Sequence, residues 1–254
     1  MTADIRQQIC SIWDEDAATY DQSHSSRRPH VLAAWRATLL RLLPDPPASV
    51  LDAGAGTGFV SLMLAELGYQ VTAVDLSAQM LAVLRSKADR LGLNVRILHA
   101  DVAQPPPDET FDAVVERDVI WTLPEADAAL VAWRKAAPVG RLVLLEATWG
   151  DKTSGVAALQ ARARGVEAKA RSLARWIQGE KPHQHDNYPP DIVRALPYVH
   201  GIKPSEAVGL VENSPWGSAR FERLSDIEGA TLSDRSLVVQ LLGTTHRWAV
   251  SAGS

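Results

Sequence analysis

Between residues 48 and 150, short and almost continuously apolar runs alternate with amphipathic stretches. The runs are SVLDAG, YQVTAVD, NVRILHAD, FDAVVER and GRLVLLEA, and the stretches between them include FVSLMLAELG and SAQMLAVLRSKADRLG. Strands that are apolar on both faces need cover on both faces, so this alternation predicts a parallel sheet flanked by helices, a doubly wound α/β domain. Upstream, Trp13, Ala17 and Tyr20, then Val31, Trp35, Leu39 and Leu43, fall at helical spacings. They predict two helices over 4–43, ended by Pro44, Pro46 and Pro47. Downstream, ALQARARGVEAKARSLARWIQ reads as helical and EKPHQHDNYPPDIVRALPYVHG as a segment rich in Pro, His and Tyr. SEAVGLVENS predicts a further helix, and SARFERLS and HRWAVSA two closing strands. The expected organisation is 1–47 as N-terminal helices, 48–150 as the core, 151–202 as an insertion over one end of the sheet, and 203–254 as the closing helix and strands.

Composition narrows the partners. The 254 residues are 46% hydrophobic, enough for one sizeable core with an added lobe. A net charge of −4 gives no general attraction to nucleic acid or to an anionic membrane. Arg162, Arg164, Lys169, Arg171 and Arg175 share one helical segment, which reads as a solvated face because no aromatic residues interleave with them as in an RNA groove. Cys10 is the sole cysteine, which excludes an intrachain disulfide, a thiol pair and a Cys-based zinc site. No apolar run approaches the roughly 20 residues of a bilayer span, and MTADIRQQICSIWDED lacks the order of a signal peptide. The expectation is a cytoplasmic protein, monomeric or homodimeric, with a small-molecule partner.

The densest chemistry lies in VLDAGAGTG, residues 50–58. Gly54, Gly56 and Gly58 let the chain turn sharply from a strand into a helix and let a ligand approach the main chain and the helix amides. The spacing is G-x-G-x-G, and Phe59 stands where a dinucleotide fingerprint carries its third glycine. Asp52 would be unhelpful beside a pyrophosphate and is an asset beside a cationic or amino-bearing ligand. Asp75 closes the second strand, where a carboxylate accepts from both ribose hydroxyls, and Asp101 follows the third, where it can accept from an adenine amine while Val102 packs on the ring.

With these residues in order, the chain resembles the class I S-adenosylmethionine (SAM) dependent methyltransferases. VLDAGAGTG is similar to their first motif, VTAVDLS to the second, ADV to the adenine-contacting segment and FDAVVERDVIWTLP to the fourth-strand motif. The resemblance covers roughly residues 10–150. It implies a Rossmann-like, seven-stranded mixed sheet whose last strand is antiparallel, the two closing strands forming a hairpin. By the same resemblance SAM is the cofactor and S-adenosylhomocysteine the product. Asp52, Gly54, Gly56 and Gly58 hold the methionine part, Asp75 the ribose, and Leu76, Met80, Asp101 and Val102 the adenine. WDEDAATYD resembles the lid helix of small-molecule methyltransferases, which brings Trp13 and Tyr20 to the cofactor and Tyr20 to the acceptor as well. By spacing alone Trp13 and Trp35 are core residues of their helices.

Methyl transfer from a sulfonium is an in-line displacement that needs alignment and, for O–H and some N–H acceptors, a base. Asp118 follows the fourth strand, where related enzymes often carry histidine, and is read either as a base or acceptor-orienting carboxylate or as the N-cap of the next turn. Glu116 and Arg117 hold cofactor backbone or each other. His24 either reaches the acceptor or stays an exposed loop histidine. His183 and His185 lie in KPHQHDNYPP, and His185 or Tyr188 is expected at the substrate, with His185 able to shuttle a proton and no metal site assigned. Trp121, Trp149 and Trp176 are candidates to stack on a flat acceptor.

These residues predict a methyltransferase of a small, aromatic or heteroaromatic specialised metabolite. The Asn-Pro-Pro-Tyr signature of base amino-group methylation is absent after the fourth strand. Indole C3-methylation of a tryptophan-containing diketopiperazine is the specific expectation. O- or N-methylation of another metabolite and SAM binding without turnover are the alternatives. A nicotinamide dehydrogenase is disfavoured by the glycine spacing.

Overall fold

The computed structural model describes residues 2–24, 28–105, 109–148, 188–233 and 245–253. A seven-stranded sheet in the order β3-β2-β1-β4-β5-β7-β6 forms its centre. The strands are β1 Ser49–Ala53, β2 Gln70–Asp75, β3 Val95–His99, β4 Ala113–Arg117, β5 Arg141–Ala147, β6 Ala219–Arg223 and β7 Arg247–Gly253. The first five are parallel, and β7 runs antiparallel between β5 and β6. The fold is therefore the Rossmann-like mixed α/β sheet that the sequence motifs imply.

The period of two along each strand distributes the core. In β1, Leu51 and Ala53 join the cluster built with α6 (Ala126–Ala136) and α8 (Pro204–Glu212), while Val50 joins the cluster built with α3 (Pro29–Leu42) and α4 (Phe59–Glu66). Trp133 of α6 is fully buried and its indole N–H donates to Val102 O at 2.8 Å, so the loop after β3 is tied to the sheet's helical cover. Burying such side chains stabilises the layer by about 1.5–3 kcal/mol each. The strand order reverses between β2-β1 and β4-β5, and the crevice beyond the carboxyl ends of β1 and β4 is where open α/β sheets bind ligands.

Helix α5 (Ala78–Leu91) begins on Ser77, whose hydroxyl accepts from Met80 N, and ends on Gly92 in the left-handed region. Three N-terminal helices replace the expected two: α1 Thr2–Asp16, α2 Tyr20–His24 and α3. The break is a turn in which Thr19 N donates to Asp16 O, and it swings Tyr20 against Trp13. The closing strands pair antiparallel as expected, but α9 (Ser225–Leu232) follows β6, so they are no simple hairpin. Leu224 and Ile227 there bury against α3, a helical spacing too short to read from sequence. Of the expected insertion, α7 (Pro190–Ala195) is described, with Ile192 and Leu196 packed on Ile5 and Ile9 of α1. The helical reading of the 158–178 stretch and the expectations for Trp149, Trp176, His183 and His185 lie outside the described residues, as does the side chain of His24.

Candidate active site

A cleft opens at the topological switch point. Its floor is the glycine turn. Gly54 N and Ala55 N both donate to Val74 O, at 2.8 and 3.0 Å, which holds the turn against β2. Gly54 has φ +83°, and a Cβ there would lie 2.4 Å from Val119 Cγ2, so the loop after β4 packs on bare backbone. Gly58, at φ +88°, is closed off in the same way by Leu84, whereas a Cβ on Gly56 would meet nothing within 4 Å.

Asp75 lines the cleft and is braced by main chain: its Oδ2 accepts from Gly56 N and its Oδ1 from Ser77 N, both at 2.8 Å. Burial pushes its carboxyl above the ordinary range, against the pull of those amides. Asp52 lies beneath the turn rather than on the wall. It is 1% exposed, accepts from Ser61 Oγ at 2.5 Å, and burial raises its pKa to about 7.

Leu76, Met80, Asp101 and Val102 line the adjoining part of the cleft. Asp101 Oδ1 accepts from Ala103 N at 2.9 Å, and its Oδ2 pairs with Arg6 of α1 at 3.3 Å. Arg6 also reaches Glu125 at 3.0 Å, so α1 is clamped across this end by charge. Cys10 lines the cleft nearby, with Sγ 3.1 Å from Leu76 O, and burial pushes its thiol up.

At the opposite end stands Asp118, the one described non-glycine residue with positive φ, at +59°. A non-glycine residue pays for this conformation with strain and holds it only where its surroundings fix it. Arg247 of β7 does so, donating to Oδ1 at 3.3 Å and to Oδ2 at 3.2 and 3.3 Å, while Arg117 pairs with Oδ2 at 3.3 Å. Arg117 in turn lies over the rings of Phe59 and Trp35, at 4.3 and 5.3 Å. Both oxygens of Asp118 thus face guanidinium groups, the arrangement of a charge anchor rather than of a carboxylate open to a substrate proton. Glu116 is fully buried behind this turn, off the cleft wall, and its Oε2 accepts from Val119 N at 2.8 Å.

Four of the aromatic residues singled out in the sequence form one shelf. Trp13 meets Tyr20 edge-on at 5.9 Å and Trp121 at 6.0 Å, and Trp121 meets Tyr188 at 5.9 Å. Trp13 and Tyr20 line the cleft. Burial raises the Tyr20 pKa to about 12, so the phenol keeps its proton at physiological pH. Among the described residues, no group of three His, Cys, Asp or Glu side chains is placed to hold a metal ion.

The structure therefore brings Trp13, Tyr20, Gly54, Gly56, Asp75, Leu76, Met80, Asp101, Val102 and Asp118 to one cleft. It sets Asp52, Gly58 and Glu116 behind it. Sequence reasoning did not single out Arg6, Asp21 or Arg247. WDEDAATYD carries acids at positions 14, 15, 16 and 21, so Asp21 is one acid among four there, while nothing local marks Arg247, which arrives from the last strand.

Residues 50–138 match the family model of a methyltransferase domain. The matched segment spans β1 to α6, the part of the fold that builds the cleft floor. A demethylmenaquinone methyltransferase of Thermus thermophilus is 42% identical over 117 residues, covering 44% of this chain and 53% of that enzyme. The chain thus spans about half the length of this relative. Two solved structures share the fold. Magnesium protoporphyrin IX methyltransferase from Synechocystis, with bound SAM, has a TM-score of 0.59 at 15% identity and covers 98% of this chain and 97% of its own. A [4+2]-cyclase has a TM-score of 0.62 at 14% identity, covering 97% and 94%.

Proposed function

We propose that the chain is a SAM-dependent methyltransferase of a small aromatic acceptor. The observation that carries the reading is Asp75, a carboxylate at the end of β2 held by the Gly56 and Ser77 amides and facing the cleft beside a glycine turn. Such a group suits the two hydroxyls of a ribose, and the apolar bed of Leu76, Met80 and Val102 suits a purine. The residues fit the cofactor, because the unfilled space at Gly56 leaves backbone open to its amino-acid end. When bound, SAM supplies an electrophilic methyl group on a sulfonium.

The chain's own residues supply alignment. Asp118, fixed by Arg247 and Arg117, serves as the anchor of the acceptor end, and Tyr20, still protonated, serves as a hydrogen-bond donor there. The acceptor's proton passes to His24, His185 or solvent in this reading. The shelf of Trp13, Trp121 and Tyr188 favours a flat ring, and the Thermus relative, described as acting on demethylmenaquinone, points to a quinol-like ring ahead of the indole of a diketopiperazine.

Calorimetric titration with SAM, S-adenosylhomocysteine and NAD, followed by mass-spectrometric screening of quinol, phenol and indole acceptors for one added methyl group, tests it. Binding of the sulfur nucleosides with methyl gain on a quinol or phenol is expected. NAD binding alone sinks the cofactor assignment, and cofactor binding without methyl gain on any ring sinks the acceptor class.

A further inference from the structure

Two buried carboxyl groups stand behind the Asp118 turn and have no place in methyl transfer as described. Glu116, on β4, is fully buried and its Oε2 accepts from Val119 N at 2.8 Å. Glu146, on β5, is likewise fully buried and its Oε1 accepts from Ile120 N at 3.2 Å. Two acids from neighbouring strands therefore hold two consecutive amides of one turn. Each keeps a second oxygen, Glu116 Oε1 and Glu146 Oε2, that meets no donor and no water-accessible surface. A fully ionised pair would leave two charged oxygens bare in a dry interior, which desolvation strongly disfavours. The charged groups facing the pair are Asp118, which adds to the repulsion on both, and Arg247, which relieves Glu146 in part.

We propose that Glu116 and Glu146 act as a proton-holding carboxyl pair that sets the turn carrying Asp118 and Val119 against the glycine loop. A protonated carboxyl keeps one oxygen to accept from the amide, and its proton removes the charge from the oxygen that has no partner. Burial, and for Glu146 the neighbouring Glu116, pushes both carboxyls well above the ordinary glutamate range. The turn matters to the cleft because Val119 fills the space a Cβ on Gly54 would take, and because Asp118 holds its left-handed conformation from there. These are positioning residues, since neither touches the cleft. The proposal goes beyond the methyltransferase reading and leans on it only for the choice of S-adenosylhomocysteine as ligand.

Glu116→Gln and Glu146→Gln, singly and together, test it, since a neutral amide imitates a protonated carboxyl where alanine would open a hole. Infrared difference spectra between neutral and alkaline pH read the pair directly. The expected result is a protonated-carboxyl stretch in the wild-type protein at neutral pH that is reduced in the double variant to the part contributed by Asp52 and Asp75. Calorimetry with S-adenosylhomocysteine gives the second readout. Wild-type affinity falls by up to about tenfold per pH unit once the pair ionises, a decline of which the double variant, matching wild type at neutral pH, keeps only the part owed to Asp52 and Asp75. A protonated-carboxyl stretch as large in the double variant as in the wild type, or the same pH dependence in both, overturns the proposal. If none of the proteins binds S-adenosylhomocysteine at any pH, the cofactor reading fails, and the infrared result alone decides the carboxyl pair.

Discussion

The hydroxyl of Thr57, inside the glycine turn, donates to Asp21 Oδ1 of α2 at 2.6 Å, and the same carboxylate takes the Lys87 ammonium of α5 at 2.7 Å. One side chain of the N-terminal helices thereby fastens them to the floor of the cleft and to its side wall. The contact is partly buried, which makes it stronger than a surface ion pair.

Asp21→Asn is therefore expected to weaken S-adenosylhomocysteine binding by about three- to tenfold, with little change in melting temperature, because it loosens a cover rather than the core. Calorimetry and a thermal melt separate the two effects. An unchanged dissociation constant would mean that α2 does not contribute to cofactor retention.

Asp75→Ala removes the acceptor for Gly56 N and Ser77 N together with the proposed ribose contact. Hydrogen bonds to charged groups contribute about 1.5–3 kcal/mol each, so cofactor affinity is expected to fall by roughly 10- to 100-fold or more. The circular dichroism spectrum should be retained, and a variant that binds as tightly as wild type would contradict the assignment.

Asp118→Asn keeps the size of the anchor and removes its charge toward Arg247 and Arg117. Cofactor affinity should survive while kcat falls at least about tenfold, once an acceptor is in hand. Arg247→Lys, which cannot span both oxygens, should show the same pattern more weakly. A loss confined to KM would make the cluster a binding feature instead of an aligning one.

Asp52 sets a pH dependence of stability. Burial lifts its pKa to about 7, above its value in the unfolded chain, so the folded state holds the proton more tightly. The resulting stabilisation is present at low pH and is lost as pH rises from the ordinary aspartate range, near 4, through about 7. It amounts to up to about 4 kcal/mol. Melting temperatures between pH 4 and 8 should decline less in Asp52→Asn than in wild type, and parallel curves would refute the shift.

The sheet was legible because its strands are buried on both faces and the helices between them keep a clear period. The glycine turn and Asp75 were legible because each sits at the junction where strand becomes helix. The resemblance puts Asp52 at the ligand and position alone puts Glu116 on cofactor backbone or Arg117, yet alternation along β1 turns Asp52 toward Ser61 of α4, and β4 buries Glu116 under its own turn. Arg247 was not legible, since its partner Asp118 lies 129 positions earlier and the pairing depends on β7 running antiparallel beside β5. Helix α9 escaped because its buried face rests on Leu224 and Ile227, too few positions to reveal a period.

The placement of β7 has a consequence for biosynthesis. The glycine turn, Asp75 and Asp118 leave the ribosome early, but the guanidinium that fixes Asp118 is made after residue 246. Until the strand carrying Arg247 pairs with β5, Asp118 lacks that partner, and β6, which pairs with β7 alone, has no place in the sheet.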